Sequence, residues 1–164
     1  MASRLALQHR YPEPPARIYA VIIDPHYLRD KLRAVGGPDA KLLSREQDER
    51  GVTIVLQHGV PAGMLPAFLR SALPRSLIIR RTEIWTSGGG SVYAQMDGAP
   101  GSITGTMRLN PDHEGCVLEA ELVAEIGLPL LGVKLEKLVT DGIASLLAAE
   151  HRFTLQWLRN GAGT

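Results

Sequence analysis

The sequence is short of several things, and each shortage excludes something. One cysteine, Cys116, stands among 164 residues, so an internal disulfide and a Cys-based zinc site are excluded and a reducing, cytoplasmic setting is expected. Lys and Arg number 18 against 17 Asp and Glu, for a formal net charge of +1. The pairs Arg80-Arg81 and Lys134/Lys137 have acids close by and build no stripe that could neutralise a run of phosphates, so nucleic acid is not an expected partner. No apolar run approaches about 18 residues. The N-terminal stretch MASRLALQHRYPEPP carries Arg4 and Arg10 where a secretory leader needs its apolar segment. Neither a leader nor stable membrane insertion is therefore expected. Repeats and low-complexity tracts are absent too.

What is present suits one domain. The length matches about 150 residues per domain, and 45% hydrophobic with 21% charged residues is ordinary for a globular protein. A single domain over 1–160 is expected, with 161–164, GAGT, as a flexible tail. Residues 4–11 alternate Leu5, Leu7, His9 and Tyr11 against polar neighbours, the period of a strand. Pro12, Pro14 and Pro15 end it. Pro15 opens a short helix through Ile18, Tyr19, Val21 and Ile22, and Asp24-Pro25 separates this from a second helix that stops at Gly36-Gly37-Pro38.

Strand patterns follow at 39–48, 52–60, 76–87, 91–98 and 101–110, with a proline-rich crossing at 61–75 that has room for one helical turn. The last strand is the clearest: Cys116, Leu118, Ala120, Leu122, Ala124 and Ile126 alternate with Val117, Glu119, Glu121, Val123 and Glu125. One of its faces is buried and the other wet. From Pro129 to about Arg159 the apolar spacing turns helical through Leu131, Leu135, Leu138, Val139, Gly142, Leu146, Ala149, Phe153 and Trp157, while Glu136, Lys137, Asp141, Glu150 and Arg152 fall mostly elsewhere. The order predicts an α+β fold: a curved antiparallel sheet of about seven strands packed on a long C-terminal helix, with two short helices after the first strand.

That order resembles the START-like (SRPBCC, helix-grip) superfamily, which includes the birch pollen allergen and polyketide cyclase families. The residues that carry the likeness are Thr82-Glu83-Ile84-Trp85, the turn and strand from Gly98 to Gly105, and Gly127-Leu128-Pro129-Leu130-Leu131-Gly132-Val133-Lys134-Leu135-Glu136, with Glu150 and Trp157 beyond. More narrowly, the chain is similar to a mainly actinobacterial family labelled domain of unknown function 2505. The resemblance implies a sheet wrapped round the long helix and a cavity for an apolar or amphipathic small molecule. It implies no reaction, because members of the superfamily bind, carry, cyclise or hydrolyse.

The residues themselves offer little for catalysis. His9, His26, His58, His113 and His151 form no H-x-x-x-H or H-E-x-x-H pair, so no metal and no cofactor is expected. No G-x-S-x-G elbow surrounds a serine, and Cys116 has no neighbour that would lower its pKa. His58 shares a face with Leu56 and Val60, either as an ordinary strand-end histidine or as a ligand anchor. Arg81 and Glu83 share a face with Trp85, and are either solvated or a paired polar spot in an apolar pocket. Tyr19, Tyr93, Asp97 and Arg108 are weaker polar candidates of the same kind.

Small residues at positions read as inward, namely Ala94, Gly98, Gly105, Ala120, Ala124, Gly142 and Ala149, leave either a cavity or a close sheet–helix contact; with the resemblance, a cavity is preferred. The residues then expected to line or gate it are His58, Met64, Leu65, Phe68, Arg81, Glu83, Trp85, Tyr93, Met96, Met107, Leu122, Leu131, Leu135, Leu138, Gly142 and Leu146, with Leu69 and Leu128 to Val133 at its mouth. The preferred function is non-catalytic binding or transport of a hydrophobic, lipid-like or polycyclic molecule. An enzyme of the cyclase or hydratase type would need Glu83, His58 and Asp97 to converge, and a co-chaperone-like interaction module would need an exposed apolar patch. A homodimer is left open.

Overall fold

The structure is a computed structural model in which residues 2–71, 76–127 and 132–161 are described. The expected gate residues Leu128, Leu130 and Leu131, the end of the proline-rich crossing and residues 162–164 of the tail lie outside the described residues. The elements run β1 (Ala2–Tyr11), α1 (Pro15–Ile22), α2 (Pro25–Val35), β2 (Lys41–Gln47), β3 (Val52–Val60), a 3-10 turn (Ala62–Met64), α3 (Ala67–Arg70), β4 (Leu77–Thr86), β5 (Gly89–Met96), β6 (Gly101–Pro111), β7 (Cys116–Ile126) and α4 (Gly132–Arg159). Local chemistry explains the boundaries. Pro15 occupies the first helical position of α1, where its missing N–H costs nothing. Asp24 caps α2 by accepting from the backbone N–H of His26 at 2.7 Å and of Tyr27 at 3.2 Å.

The seven strands form one antiparallel sheet in the order β1-β7-β6-β5-β4-β3-β2, so each strand except the first pairs with its sequence neighbour and β1 closes onto β7. α4, 28 residues and about 42 Å long at 1.5 Å per residue, packs mainly on β1, β7 and α2. This is the helix-grip arrangement. Two contacts set its course. Near its start Glu136 is buried, accepting from Ser3 Oγ at 3.2 Å and from the Ile126 N–H at 3.3 Å. Near its end His151 Nε2 donates to the Arg10 carbonyl at 2.7 Å. α4 therefore runs alongside β1 in the same direction. The start of α4, the ends of β3, β5 and β7 and the 61–71 crossing gather at one pole, and Trp85, Tyr11 and Cys116 lie toward the other.

The phase of α4 differs from the expected one. Its inner stripe advances by fours through Leu135, Val139, Ile143 and Leu147, then passes Glu150, Thr154 and Trp157. Leu138 and Gly142, expected to face inward, are exposed, and a Cβ on Gly142 would meet nothing within 4 Å. A bulky side chain there would project into solvent and fill no cavity. Leu146 and Ala149 flank the stripe and are partly buried. The expected phase failed because it treated Glu136 and Glu150 as outward, whereas both are buried.

One backbone approach positions β3. The Gly59 N–H donates to the Gly36 carbonyl at 3.0 Å, and a Cβ on Gly59 would fall 1.8 Å from the Pro38 carbonyl oxygen. Because the obstacle is backbone, the loop and the strand would have to separate. Gly59→Ala is expected to lower unfolding stability by about 1–3 kcal/mol, seen as a lower urea midpoint with an unchanged slope.

Candidate functional site

The concave face of the sheet carries the inward residues of each strand. On β3 these are Val52, Ile54, Leu56, His58 and Val60; on β4 Leu77, Ile79, Arg81, Glu83 and Trp85; on β5 Val92, Ala94 and Met96. Most are buried, but Val60, Ile79 and Met96, near the pole where α4 begins, are only partly buried. On the inner stripe of α4, Val139, Ile143 and Leu147 are also partly buried, packed against the core. α4 makes its main sheet contacts on β1 and β7. Between α4, α2 and the sheet is a cavity of about 40 Å³ walled by Tyr11, Tyr27, Lys31, Arg81, Trp85, Met107, Glu150 and their neighbours. At about 10–15 Å³ per water that volume holds about three or four waters.

Four charged side chains are buried together beside this cavity. Arg81 reaches both ways: Nε donates to Glu83 Oε1 at 2.5 Å, and Nη1 donates to Glu150 Oε1 at 2.6 Å. Lys31 Nζ lies 2.9 Å from Glu150 Oε2 and 5.4 Å from the centre of the Tyr27 ring. Trp85 Nε1 donates to Glu83 Oε2 at 2.5 Å. Thr154 Oγ1 donates to the Glu150 carbonyl at 2.7 Å, so the 2.6 Å contact between the Tyr27 and Thr154 hydroxyls has Tyr27 as donor. Two cations and two anions cancel, and the donors of Arg81 are taken up by carboxylates. Burial alone would raise the Glu150 carboxyl, but Arg81 and Lys31 outweigh it and hold it well below the usual carboxylate range. Glu83 is lowered for the same reasons, by Arg81 and then Lys31 against burial. Burial would lower Arg81, but Glu150 and Glu83 raise it further above its ordinary value.

His58 is different. It is 4% exposed, and neither Nδ1 nor Nε2 has a hydrogen-bond partner among the described residues. Burial, reinforced by Arg81, lowers its pKa to about 4, so it is neutral at pH 7. A buried polar group left unmet costs about 1–3 kcal/mol. At the far side of the cavity His9 stacks on His151 with ring centres 4.7 Å apart, and Tyr11 meets His151 edge-on at 4.9 Å. These rings brace α4 against β1.

The sequence-derived candidates divide accordingly. His58, Arg81, Glu83, Trp85, Met107, Leu122 and Leu135 are buried, Met96 and Leu146 partly so. In the crossing Leu65 is buried, whereas Met64 at 75% and Phe68 at 46% are exposed. Tyr93 lies on the outer face of β5 and is exposed, since strand alternation gives the inner face to Val92 and Ala94. Arg108 is likewise exposed on β6, and Tyr19 is partly buried against the core. Asp97 is exposed in the turn after β5, so it does not converge with His58 and Glu83.

Two of the small residues also need correction. Gly98 is exposed, in a turn at φ 82°. A Cβ on Gly105 would fall 2.2 Å from the Glu121 carbonyl oxygen, so this glycine serves close strand pairing rather than a cavity. Lys31, Tyr27, Glu150 and Thr154 were missed as site residues. The signal was available: Lys31 follows Tyr27 by four residues on the apolar face of α2, and the α4 stripe continued from Leu147 arrives at Glu150 and Thr154.

Among the described residues no group of three or more His, Cys, Asp or Glu is placed to hold a metal ion, and no helix is long and apolar enough to cross a membrane. Burial raises the Cys116 thiol to about 11, which leaves it unreactive.

Comparison with known proteins places this architecture. The chain superposes on TTHA0849 from Thermus thermophilus with a TM-score of 0.62 at 20% identity, covering 95% of this chain and 98% of that one. It superposes on a START superfamily protein from Mycobacterium smegmatis with a TM-score of 0.59 at 14% identity, covering 96% and 98%. In sequence it is 27% identical over 120 residues to the uncharacterized protein Rv0481c of Mycobacterium tuberculosis, covering 69% of each chain. Residues 6–158 match the family described as Protein of unknown function (DUF2505), and the chain, with its START-like helix-grip fold, belongs to that family.

Proposed function

We propose that this protein binds an apolar or amphipathic small molecule, without covalent chemistry, in a cleft between α4 and strands β3–β5. The observation that carries the reading is the set of inward-facing apolar side chains that remain only partly buried: Val60, Ile79 and Met96 on the sheet, Val139, Ile143 and Leu147 on the helix. Burying apolar surface is worth about 25 cal/mol per Å², so such side chains left partly uncovered forgo stabilisation that a ligand against them restores. The 40 Å³ cavity is too small for this purpose, since small-molecule sites usually measure about 300–1,000 Å³. The ligand therefore occupies the cleft above it, with Met64 and Phe68 exposed at that pole. Glu83 supports a binding rather than a catalytic reading, because both of its oxygens are held by Arg81 and Trp85 and are not available to a substrate proton.

The test is uptake of Nile red, a neutral apolar fluorophore, together with native mass spectrometry of freshly purified protein. Ile79→Trp should fill the cleft, weaken Nile red binding by at least about ten-fold, or 1.4 kcal/mol, and leave the thermal transition within a few degrees. Absence of both Nile red binding and any co-purified molecule would overturn the proposal.

A further inference from the structure

We infer that the polar end of the ligand is a neutral hydroxyl group, recognised by His58, and that carboxylates and other ions are excluded from the site. This rests on the binding reading above and deepens it. Four buried charges act on His58: Arg81 and Lys31 positive, Glu83 and Glu150 negative. They sum to zero and are mutually engaged. Arg81 spends Nε on Glu83 and both terminal nitrogens on Glu150, Lys31 is held by Glu150, and the second Glu83 oxygen is taken by Trp85. An anion brought against this wall finds no free cation, and a cation finds no free carboxylate. An uncompensated buried charge is costly. The wall therefore repels either sign by desolvation, even though it contains four charges.

The one buried polar side chain with unused hydrogen-bonding atoms among the described residues is His58. A neutral imidazole offers one N–H donor and one acceptor nitrogen. A hydroxyl satisfies either edge, accepting from the protonated nitrogen or donating to the bare one. A carboxylate meets only the N–H and brings a charge that nothing offsets. His58 stands on β3 opposite Ile79 of β4, which lines the cleft, and two positions along β3 from Leu56, which pairs with Arg81. It thus occupies the step between the apolar cleft and the ion network, where the polar end of an amphipathic molecule arrives with its apolar part still in the cleft.

The experiment is displacement of Nile red by decanol and by decanoate at neutral pH, on the wild-type chain and on His58→Leu and His58→Gln. Decanol should displace the dye at a concentration at least ten-fold below that needed for decanoate. His58→Leu should weaken decanol by about ten-fold, and His58→Gln, which keeps a donor and an acceptor, should recover most of that loss. Equal affinities for decanol and decanoate, or an unchanged decanol affinity in His58→Leu, would overturn the hydroxyl assignment while leaving the binding function standing. Failure of Nile red itself to bind would overturn both.

Discussion

Glu150→Gln is expected to lower unfolding stability by about 3–5 kcal/mol, the range for breaking a buried ion pair by removing one partner. The substitution keeps the shape of the side chain but leaves Arg81 and Lys31 buried against Glu83 alone, with a net positive charge in the interior. At about 2–4 °C per kcal/mol for a chain of this length, the thermal midpoint should fall by roughly 10 °C. Lys31→Met should cost less, because Arg81 still bridges the two carboxylates. The pH dependence gives an independent readout. Glu150 and Glu83 are held below the ordinary carboxylate range in the folded protein, whereas in the unfolded chain they titrate near about 4.3. As pH falls through that value the unfolded state binds protons that the folded state refuses. The stability these groups contribute is therefore complete above about pH 5 and is lost as the pH drops toward their folded values. Urea midpoints measured from pH 7 to pH 3 should fall less steeply in Glu150→Gln than in the wild type; parallel curves would show that Glu150 is not the carboxylate in question.

The network also marks the boundary of what could be read in advance. Strand alternation and turn chemistry were legible because they are local: the Cys116 to Ile126 period, the Asp24-Pro25 break and the Gly88 turn each depend on neighbouring residues, and all appear where expected. The alternation of β4 also placed Arg81, Glu83 and Trp85 on one face. It could not say whether that face was wet, because the answer depends on Lys31 and Glu150, respectively 50 residues before and 69 after Arg81. A charged residue on a helix is read as outward unless its partner is known. That rule turned the expected α4 stripe onto Leu138 and Gly142 and away from Glu150. The placement of α4 was illegible for a similar reason: the contacts of Glu136 with Ser3 and Ile126 and of His151 with Arg10 set it.

Trp85→Ala is expected to cost about 3–5 kcal/mol, for two reasons that can be separated. The indole is 2% exposed and walls the 40 Å³ cavity, and a Cβ on Gly90 would stand only 3.0 Å from its ring. The neighbouring chain is therefore built around that ring, and its removal leaves a void that the sheet cannot close by a small shift. The indole N–H is also one of the donors that keep Glu83 satisfied. Trp85→Phe retains most of the ring volume and removes only the donor, so it should cost about 1–3 kcal/mol, the usual penalty for a buried group left unmet. The difference between the two variants measures the void. Because the void in Trp85→Ala merges with the existing cavity and faces a carboxylate that has lost its donor, added indole should bind there and raise the thermal midpoint as its concentration rises. The wild type, whose own indole fills the place, should show a smaller rise, set by the proposed ligand site alone. If indole shifts both proteins equally, the void has collapsed, and the rigidity attributed to this end of the sheet is wrong.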